Sequence, residues 1–246
     1  MKRSDFPKPF STGLVDINSP GAYADIGMDM RCYPRYMPAT LTAISEDENR
    51  WLLEPWRKNM KIYPQLFFLV ARDIPVQDPN GAKDAILGIG MGLASSDDGV
   101  VAASKDPAAR DSHMCYWYSL YSDNSQVLAQ EMKAGLNARD IQLTIESPTL
   151  GCHVFDQNLL QFDPEGLLAE MNHLVPFGKY DLISLGAADK PLYLPKDKKF
   201  QPGEVITISC PQLGKLEITV EDRRDPEVIM NGWSPRPFFL DPDWNK

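Results

Sequence analysis

The sequence predicts an α+β chain, rich in strands, built around a mixed sheet. Apolar and polar residues alternate with period two in several runs, most cleanly at Val205–Cys210 and 216–220, as half-buried strands require. Helical stretches are interspersed among these runs without a regular strand–helix–strand period. In addition, 21 prolines spread over 246 residues interrupt helices repeatedly.

Taken in order, residues 11–38 are rich in Gly, Pro, Asp and Met and hold no period, so they read as loop with short strands. Ser45 and Glu48 fit a capping box, and Trp51, Leu52 and Trp56 give a helical face. This predicts a helix within 45–59 that Pro55 kinks or ends early. Residues 64–71 read as a buried strand, 78–81 as a turn, 85–93 as a glycine-rich strand and 97–99 as another turn. The run 114–121 concentrates Tyr116, Trp117, Tyr118 and Tyr121, which suits either core plus interface or the lining of an apolar pocket. Residues 126–134 suggest a helix stopping at Gly135, and 140–146 a strand with Ile141, Leu143 and Ile145 inward. Residues 163–173 predict a helix with Asp163 as N-cap, Pro164 at its first position and Leu167, Leu168 and Met171 on one face. A strand ending at Gly186 follows, then a loop closed by Pro202-Gly203 and two strands separated by Leu213-Gly214. The expected division is an N-terminal segment of loops and one short helix over 1–62, and a main domain over 63–246 whose tail, 222–246, packs over the body.

Composition narrows the function. A net charge of −9 and no Lys/Arg stripe argue against a general nucleic-acid binder, which needs a basic surface to neutralise phosphates. The longest apolar run, 66–71, is far too short to cross a bilayer, and the first ten residues lack the apolar stretch of a secretory signal. A cytoplasmic protein with no membrane partner is the expectation. Cys32, Cys115, Cys152 and Cys210 form no C-x-x-C pair, so free, largely buried thiols are expected.

Residues 181–220 read DLISLGAADKPLYLPKDKKFQPGEVITISCPQLGKLEITV. This order resembles the C-terminal half of the fumarylacetoacetate hydrolase superfamily, with its D-(V/L)-I-x-T-G-T-P strand and later L-x-P-G-D-x-V-x-(V/I)-x-I-x-G-(L/I)-G-x-L hairpin. The comparison runs almost continuously from Asn137 to Val220. Upstream, 105–111 (KDPAARD) resembles N-D-V-S-A-R-D, whose first Asp is a metal ligand and falls on Asp106. Residues 84–92 can be laid on E-x-E-L-A-x-V-I-G, which places Asp84 and Ile86 at the other two ligand positions. Residues 67–69 resemble the F-F-K/L-x-P strand, with Val70 where a lysine is frequent. Residues 22–30 loosely resemble N-Y-x-x-H-x-x-E-M, whose base dyad would fall on Ile26 and Asp29.

The resemblance implies a mixed β-roll with a few helices, a homodimer, and an enzyme acting on a 2-oxo or β-dicarbonyl acid. The reaction would be C–C hydrolysis, decarboxylation, hydration or tautomerisation through an enolate, with Mg²⁺ or Mn²⁺ on Asp84 and Asp106. Asp29 or His113 would handle the proton, and Lys133 stands in the region of a substrate-binding lysine. Isoleucine at the third ligand position removes charge and coordination. That loss, with the missing His, Glu and Lys equivalents, leaves a second reading: a metal-independent cyclase or isomerase for a larger apolar substrate, or a non-catalytic binding protein.

Other motifs carry less. Asp84 and Asp106 also suit exposed turns beside Lys83 and Lys105, and His113 suits a surface role. Cys152 and His153 are adjacent and point to opposite faces of a strand, so they cannot pair as nucleophile and base. His173 needs only the favourable end of a helix. Gly88, Gly90 and Gly92 lack the Lys-Ser/Thr of a phosphate loop and point instead to close backbone packing.

Overall fold

Residues Met60–Val70 form a strand in which every side chain is buried, and the whole architecture is organised by what lies on its two faces. The structure is a computed structural model that describes residues 1–7, 12–15, 18–25, 27, 29, 34, 36–39, 43–45, 47–53, 60–78, 80–97, 125–194 and 198–222. Its strands are β1 (Thr12–Val15), β2 (Tyr36–Ala39), β3 (Arg50–Leu53), β4 (Met60–Val70), β5 (Ile86–Asp97), β6 (Gln126–Leu128), β7 (Gln142–Ser147), β8 (Gly151–Asp156), β9 (Leu182–Ser184), β10 (Leu192–Tyr193), β11 (Val205–Cys210) and β12 (Gly214–Asp222). The α-helices among the described residues are α1 (Pro20–Asp25) and α2 (Pro164–Met171). The α+β, β-rich expectation holds.

One sheet runs β2-β1-β9-β4-β5-β6, with β10 paired to the start of β4, and the other runs β3-β12-β11-β7-β8. The pairing is mixed: β1–β9 and β12–β3 are parallel, while β4–β5 and β11–β12 are antiparallel. β1 and β3, from the first 62 residues, are therefore strands of the two sheets that also contain the later chain.

Strand alternation sends Met60, Ile62, Leu66, Phe68 and Val70 into an apolar core that also holds Leu143, Ile145, Ile206, Ile208 and Ile218 of the second sheet. Phe67 and Leu69 lie on the opposite face, in a smaller cluster with Ile44, Leu128, Met132 and Leu182. The glycines of β5 are explained by close approach. A Cβ on Gly90 would lie 2.4 Å from the Phe67 ring, and one on Gly92 would lie 2.5 Å from the Val127 carbonyl oxygen.

Two expected helices are strands. Within 45–59, Arg50–Leu53 form β3, because they pair in parallel with 219–222 and Trp51 is fully buried against Phe200, while 54–59 lie outside the described residues. Residues 126–134 begin as β6, which pairs with β5, and Lys133 then bridges to Ile89. In both places pairing to an open strand edge outweighs local helical propensity. α2 is as expected: Asp163 caps it by accepting from the Gly166 amide at 2.8 Å, and Pro164 opens it. Cys210 is buried but Cys152 is exposed, which corrects the expectation of buried thiols at that position. Cys32, Cys115, the aromatic run 114–121 and the tail beyond 222 lie outside the described residues.

Candidate functional site

The odd-numbered face of β4 changes character along its length. Phe67 and Leu69 make one end apolar, whereas Lys61 and Gln65 make the other end polar although both are buried. Neighbouring strands extend the polar end. Ser96 stands opposite Lys61 on β5, Tyr193 of β10 also stands opposite Lys61, and Gln126 and Ser184 come from β6 and β9.

Two hydrogen-bonded groups form there. In the interior, the Gln126 Oε1 accepts from Gln65 Nε2 at 3.0 Å and from the Ser184 hydroxyl at 2.8 Å. Nearer the surface, Asp25 at the C-terminal end of α1 is a hub. Its Oδ2 lies 3.3 Å from the Lys61 ammonium and accepts from the Tyr193 hydroxyl at 2.5 Å. Its Oδ1 lies 3.6 Å from the Lys190 ammonium. The Asp25 side chain is 4% exposed and that of Lys61 10%. The Lys61 ammonium also sits 5.2 Å from the centre of the Tyr193 ring, within cation–π range.

The electrostatics follow from this geometry. Two ammonium groups contact the Asp25 carboxylate, and the nearby Asp189 carboxylate turns its Oδ1 to the backbone amide of Lys190. Burial, and then the hydrogen bond to Asp25, push the Tyr193 phenol up to about 12 against the pull of Lys61. At neutral pH the phenol is therefore a neutral donor. The carboxylate is the one member of this trio able to accept a proton. Tyr193 and Lys190 are exposed, which leaves the cluster open to solvent on that side.

The residues singled out from the sequence are placed differently. Asp84 is exposed, lies in the turn before β5 and has a left-handed φ of 51°. A register shift at Leu69/Val70 sets Ile86 opposite Val70, toward the large core, while Leu87 packs with Phe67, Leu69, Leu128, Met132 and Leu182. The two positions 84 and 86 therefore do not project from one face of one strand. Lys133 is tied to Ile89 through its backbone, and its ammonium donates to the Gln212 carbonyl oxygen. Asp29 is exposed, four residues beyond Asp25. Asp106 and His113 lie outside the described residues. Among the described residues no three or more His, Cys, Asp or Glu side chains converge as a metal cage. A hard divalent cation wants several oxygen ligands. The described donors do not fit one.

The sequence reading missed Asp25, Lys61, Tyr193, Gln65, Gln126 and Ser184. A signal was present in residues 60–70, MKIYPQLFFLV, where Lys and Gln alternate with apolar residues in a strand long enough to be fully buried. Nothing local marks Asp25 or Tyr193, which reach Lys61 only through tertiary structure.

No protein-family model matches the chain, and no curated protein matches it. Solved structures do. A fumarylpyruvate hydrolase from Pseudomonas aeruginosa, determined with Mn²⁺ and pyruvate, superposes with a TM-score of 0.68 at 13% identity, covering 87% of this chain and 90% of that one. A structure assigned to the fumarylacetoacetate hydrolase family, from Yersinia pestis CO92, gives 0.69 at 14% identity over 88% of this chain and 94% of that one. A 5-carboxymethyl-2-hydroxymuconate delta-isomerase from Mycobacterium smegmatis gives 0.67 at 16% identity over 87% and 79%. The fold is that of fumarylacetoacetate hydrolase-like proteins, and the resemblance seen in the sequence is borne out at that level.

Proposed function

We propose that this protein is an enzyme that enolises a small 2-oxo or β-dicarbonyl acid at the Asp25–Lys61–Tyr193 cluster. One observation carries the reading: a shielded carboxylate is held between two ammonium groups and a neutral phenol. The exposed Lys190 ammonium beside the cluster suits a carboxylate substrate, and electrostatic attraction is strengthened where water is partly excluded. The fold neighbours named as acting on such compounds support the substrate class by analogy.

The chemistry needs one base and one stabiliser of developing negative charge. The Asp25 carboxylate takes a proton from the carbon beside the oxo group. The C–H electron pair becomes the C=C bond, and the carbonyl π pair moves onto oxygen. The Lys61 ammonium stabilises the charge on that oxygen, and the Tyr193 hydroxyl, whose one proton is donated to Asp25, positions the base. The carboxylic acid so formed trades its proton with solvent; return of a solvent deuteron to the same carbon gives exchange, and delivery of a proton to a different carbon of a conjugated substrate gives the tautomer. Lys190, at the exposed side, attracts and orients the acid group.

The test is exchange of the C3 protons of 2-oxobutanoate in deuterated water, followed by proton NMR. Protein-dependent loss of the C3 signal, abolished by Asp25→Asn, is the expected result. Exchange no faster than in buffer would remove the proposal.

A further inference from the structure

We infer that Gly21 is a positioning residue for the Asp25 cluster: the turn at Asp189 and Lys190 rests on its bare backbone, and that contact sets Lys190 and Tyr193 at their distances from Asp25. The inference rests on the reading of the cluster given above and names what holds its two halves in register.

The sheet alone does not fix those distances. β9 pairs with β4 through Phe67 and Ser184, and the Leu185 amide donates to the Leu66 carbonyl oxygen. β10 resumes the pairing at Ile62 with Leu192 and Lys61 with Tyr193. Between these pairs, residues 63–66 of β4 face residues 185–191, four against seven, so three residues are surplus and must leave the ladder. The excursion starts at Gly186, whose φ of 73° is left-handed. Met60, Leu66 and Val70 direct their backbone bonds to this side of β4. Pro64 shares their alternation and has no amide hydrogen to hold the excursion.

Packing fixes it instead. Ala187 and Ala188 are fully buried, and the next two residues come down on the first turn of α1. A Cβ on Gly21 would lie 2.3 Å from Asp189 Oδ1 and 3.0 Å from the Lys190 backbone nitrogen. Rotating the Asp189 side chain relieves the first approach but breaks the bond that its Oδ1 accepts from the Lys190 amide at 2.7 Å. The second approach is to backbone and has no such relief. Gly21 has no left-handed φ, and a helix gains local stability from alanine over glycine, so space is what glycine supplies here.

The same end of α1 is tied to the start of the excursion by Asn18, which donates to the Leu185 carbonyl oxygen at 2.9 Å. Asp25 stands four residues beyond Gly21, about 6 Å along the helix axis, so a displacement at Gly21 is carried to the carboxylate. Lys190 and Tyr193 lie on the other side of the contact, 3.6 and 2.5 Å from that carboxylate. Moving the two sides apart by about 1 Å takes the Tyr193–Asp25 bond beyond hydrogen-bonding length.

Gly21→Ala, Asp189→Ala and the double variant test this, each checked for folding by thermal melting. Two readouts are taken: C3 deuterium exchange into 2-oxobutanoate, and ionisation of Tyr193, read as the phenolate absorbance that a Tyr193→Phe background lacks. Burial and then the bond to Asp25 hold that phenol at about 12. Gly21→Ala is expected to slow exchange by roughly 10- to 100-fold and to let Tyr193 ionise at lower pH. In Gly21→Ala/Asp189→Ala the added methyl takes the space of the lost carboxylate, and part of the exchange rate is expected to return. A folded Gly21→Ala with wild-type exchange and wild-type Tyr193 ionisation overturns the inference, as does a loss that the double variant leaves unchanged. Where Gly21→Ala does not fold, Asp189→Ala carries the test. It leaves the contact empty, so slower exchange and earlier Tyr193 ionisation are expected, and wild-type values of both overturn the inference. Exchange in wild type no faster than in buffer removes the enolisation reading instead. Tyr193 ionisation then decides alone: a lower pH in Gly21→Ala supports the placement of Gly21, and an unchanged one overturns it.

Discussion

The hydroxyl of Tyr193 donates to the carboxylate of Asp25 at 2.5 Å across a sequence separation of 168 residues. Asp25 ends a short helix and Tyr193 belongs to a two-residue strand, so neither residue is held by a long element of its own. Lys61, in the centrally placed β4, lies against both. The pair is thus positioned by the strand that carries the charge.

Breaking that trio from one side is expected to be expensive. Asp25→Asn leaves the Lys61 ammonium mostly buried beside a neutral amide, and loss of one partner of a buried pair costs about 3–5 kcal/mol. Lys61→Met leaves the carboxylate with Lys190 at 3.6 Å and is expected to cost less. Urea denaturation of the two variants and their combination checks this. The double variant should be less destabilised than the sum of the single ones, because the pair is coupled.

Asn18 is a second point of high cost, and it works by hydrogen bonding alone. Fully buried, it donates to the carbonyl oxygens of Phe162 and Leu185 at 2.8 and 2.9 Å and accepts from the Phe162 amide at 2.9 Å. One side chain therefore joins the start of α1 to the loop before α2 and to the end of β9. Asn18→Ala is expected to destabilise the protein by roughly 3 kcal/mol, since it strands buried backbone groups. Chemical denaturation with an unchanged m-value is the check.

Acid stability has a named contributor in Glu204. Burial alone would raise its pKa, but the hydroxyl and amide of Thr149, the Gln201 amide and the Ser147 hydroxyl outweigh burial and hold it below the usual 4.5. A carboxylate whose pKa is lowered on folding adds stability that is complete above its unfolded value and disappears as pH falls through the folded one. Glu204→Gln should therefore lose less stability than wild type as pH drops below 4.5. Tyr193 works at the opposite extreme: raised to about 12 from 10, it adds stability that is complete below 10 and is lost as pH rises through 12. Thermal melts across pH for Glu204→Gln and Tyr193→Phe test both signs.

Close packing at Gly90 predicts a steric cost with a matching remedy. An added methyl would lie 2.4 Å from the Phe67 ring and 3.1 Å from the Glu131 carbonyl oxygen. Gly90→Ala is expected to lower stability by about 1–3 kcal/mol. Shortening the ring partner with Phe67→Leu in the same chain should recover part of that loss in a denaturation comparison.

Much of the fold was legible because its signals are local. The alternation at 205–210, the cap at Asp163 and the turn at Gly203 each specify their structure from adjacent residues. The segments 45–59 and 126–134 misled because Trp51 and Val127 are buried by pairing with strands far away in sequence, which no helical period reveals. The site was less legible still. Acidic residues such as Asp84 attract attention in a motif, but its left-handed turn places it in solvent. Lys61 looks like an ordinary charge until the strand around it is known to be buried on both faces.

The initial rate of C3 deuterium exchange into 2-oxobutanoate, compared between wild type and Asp25→Asn, bears on the central claim most directly. Wild type should exchange, and the variant, judged folded by its melt, should be slower by about 100-fold or more. Equal rates in the two proteins would contradict the account.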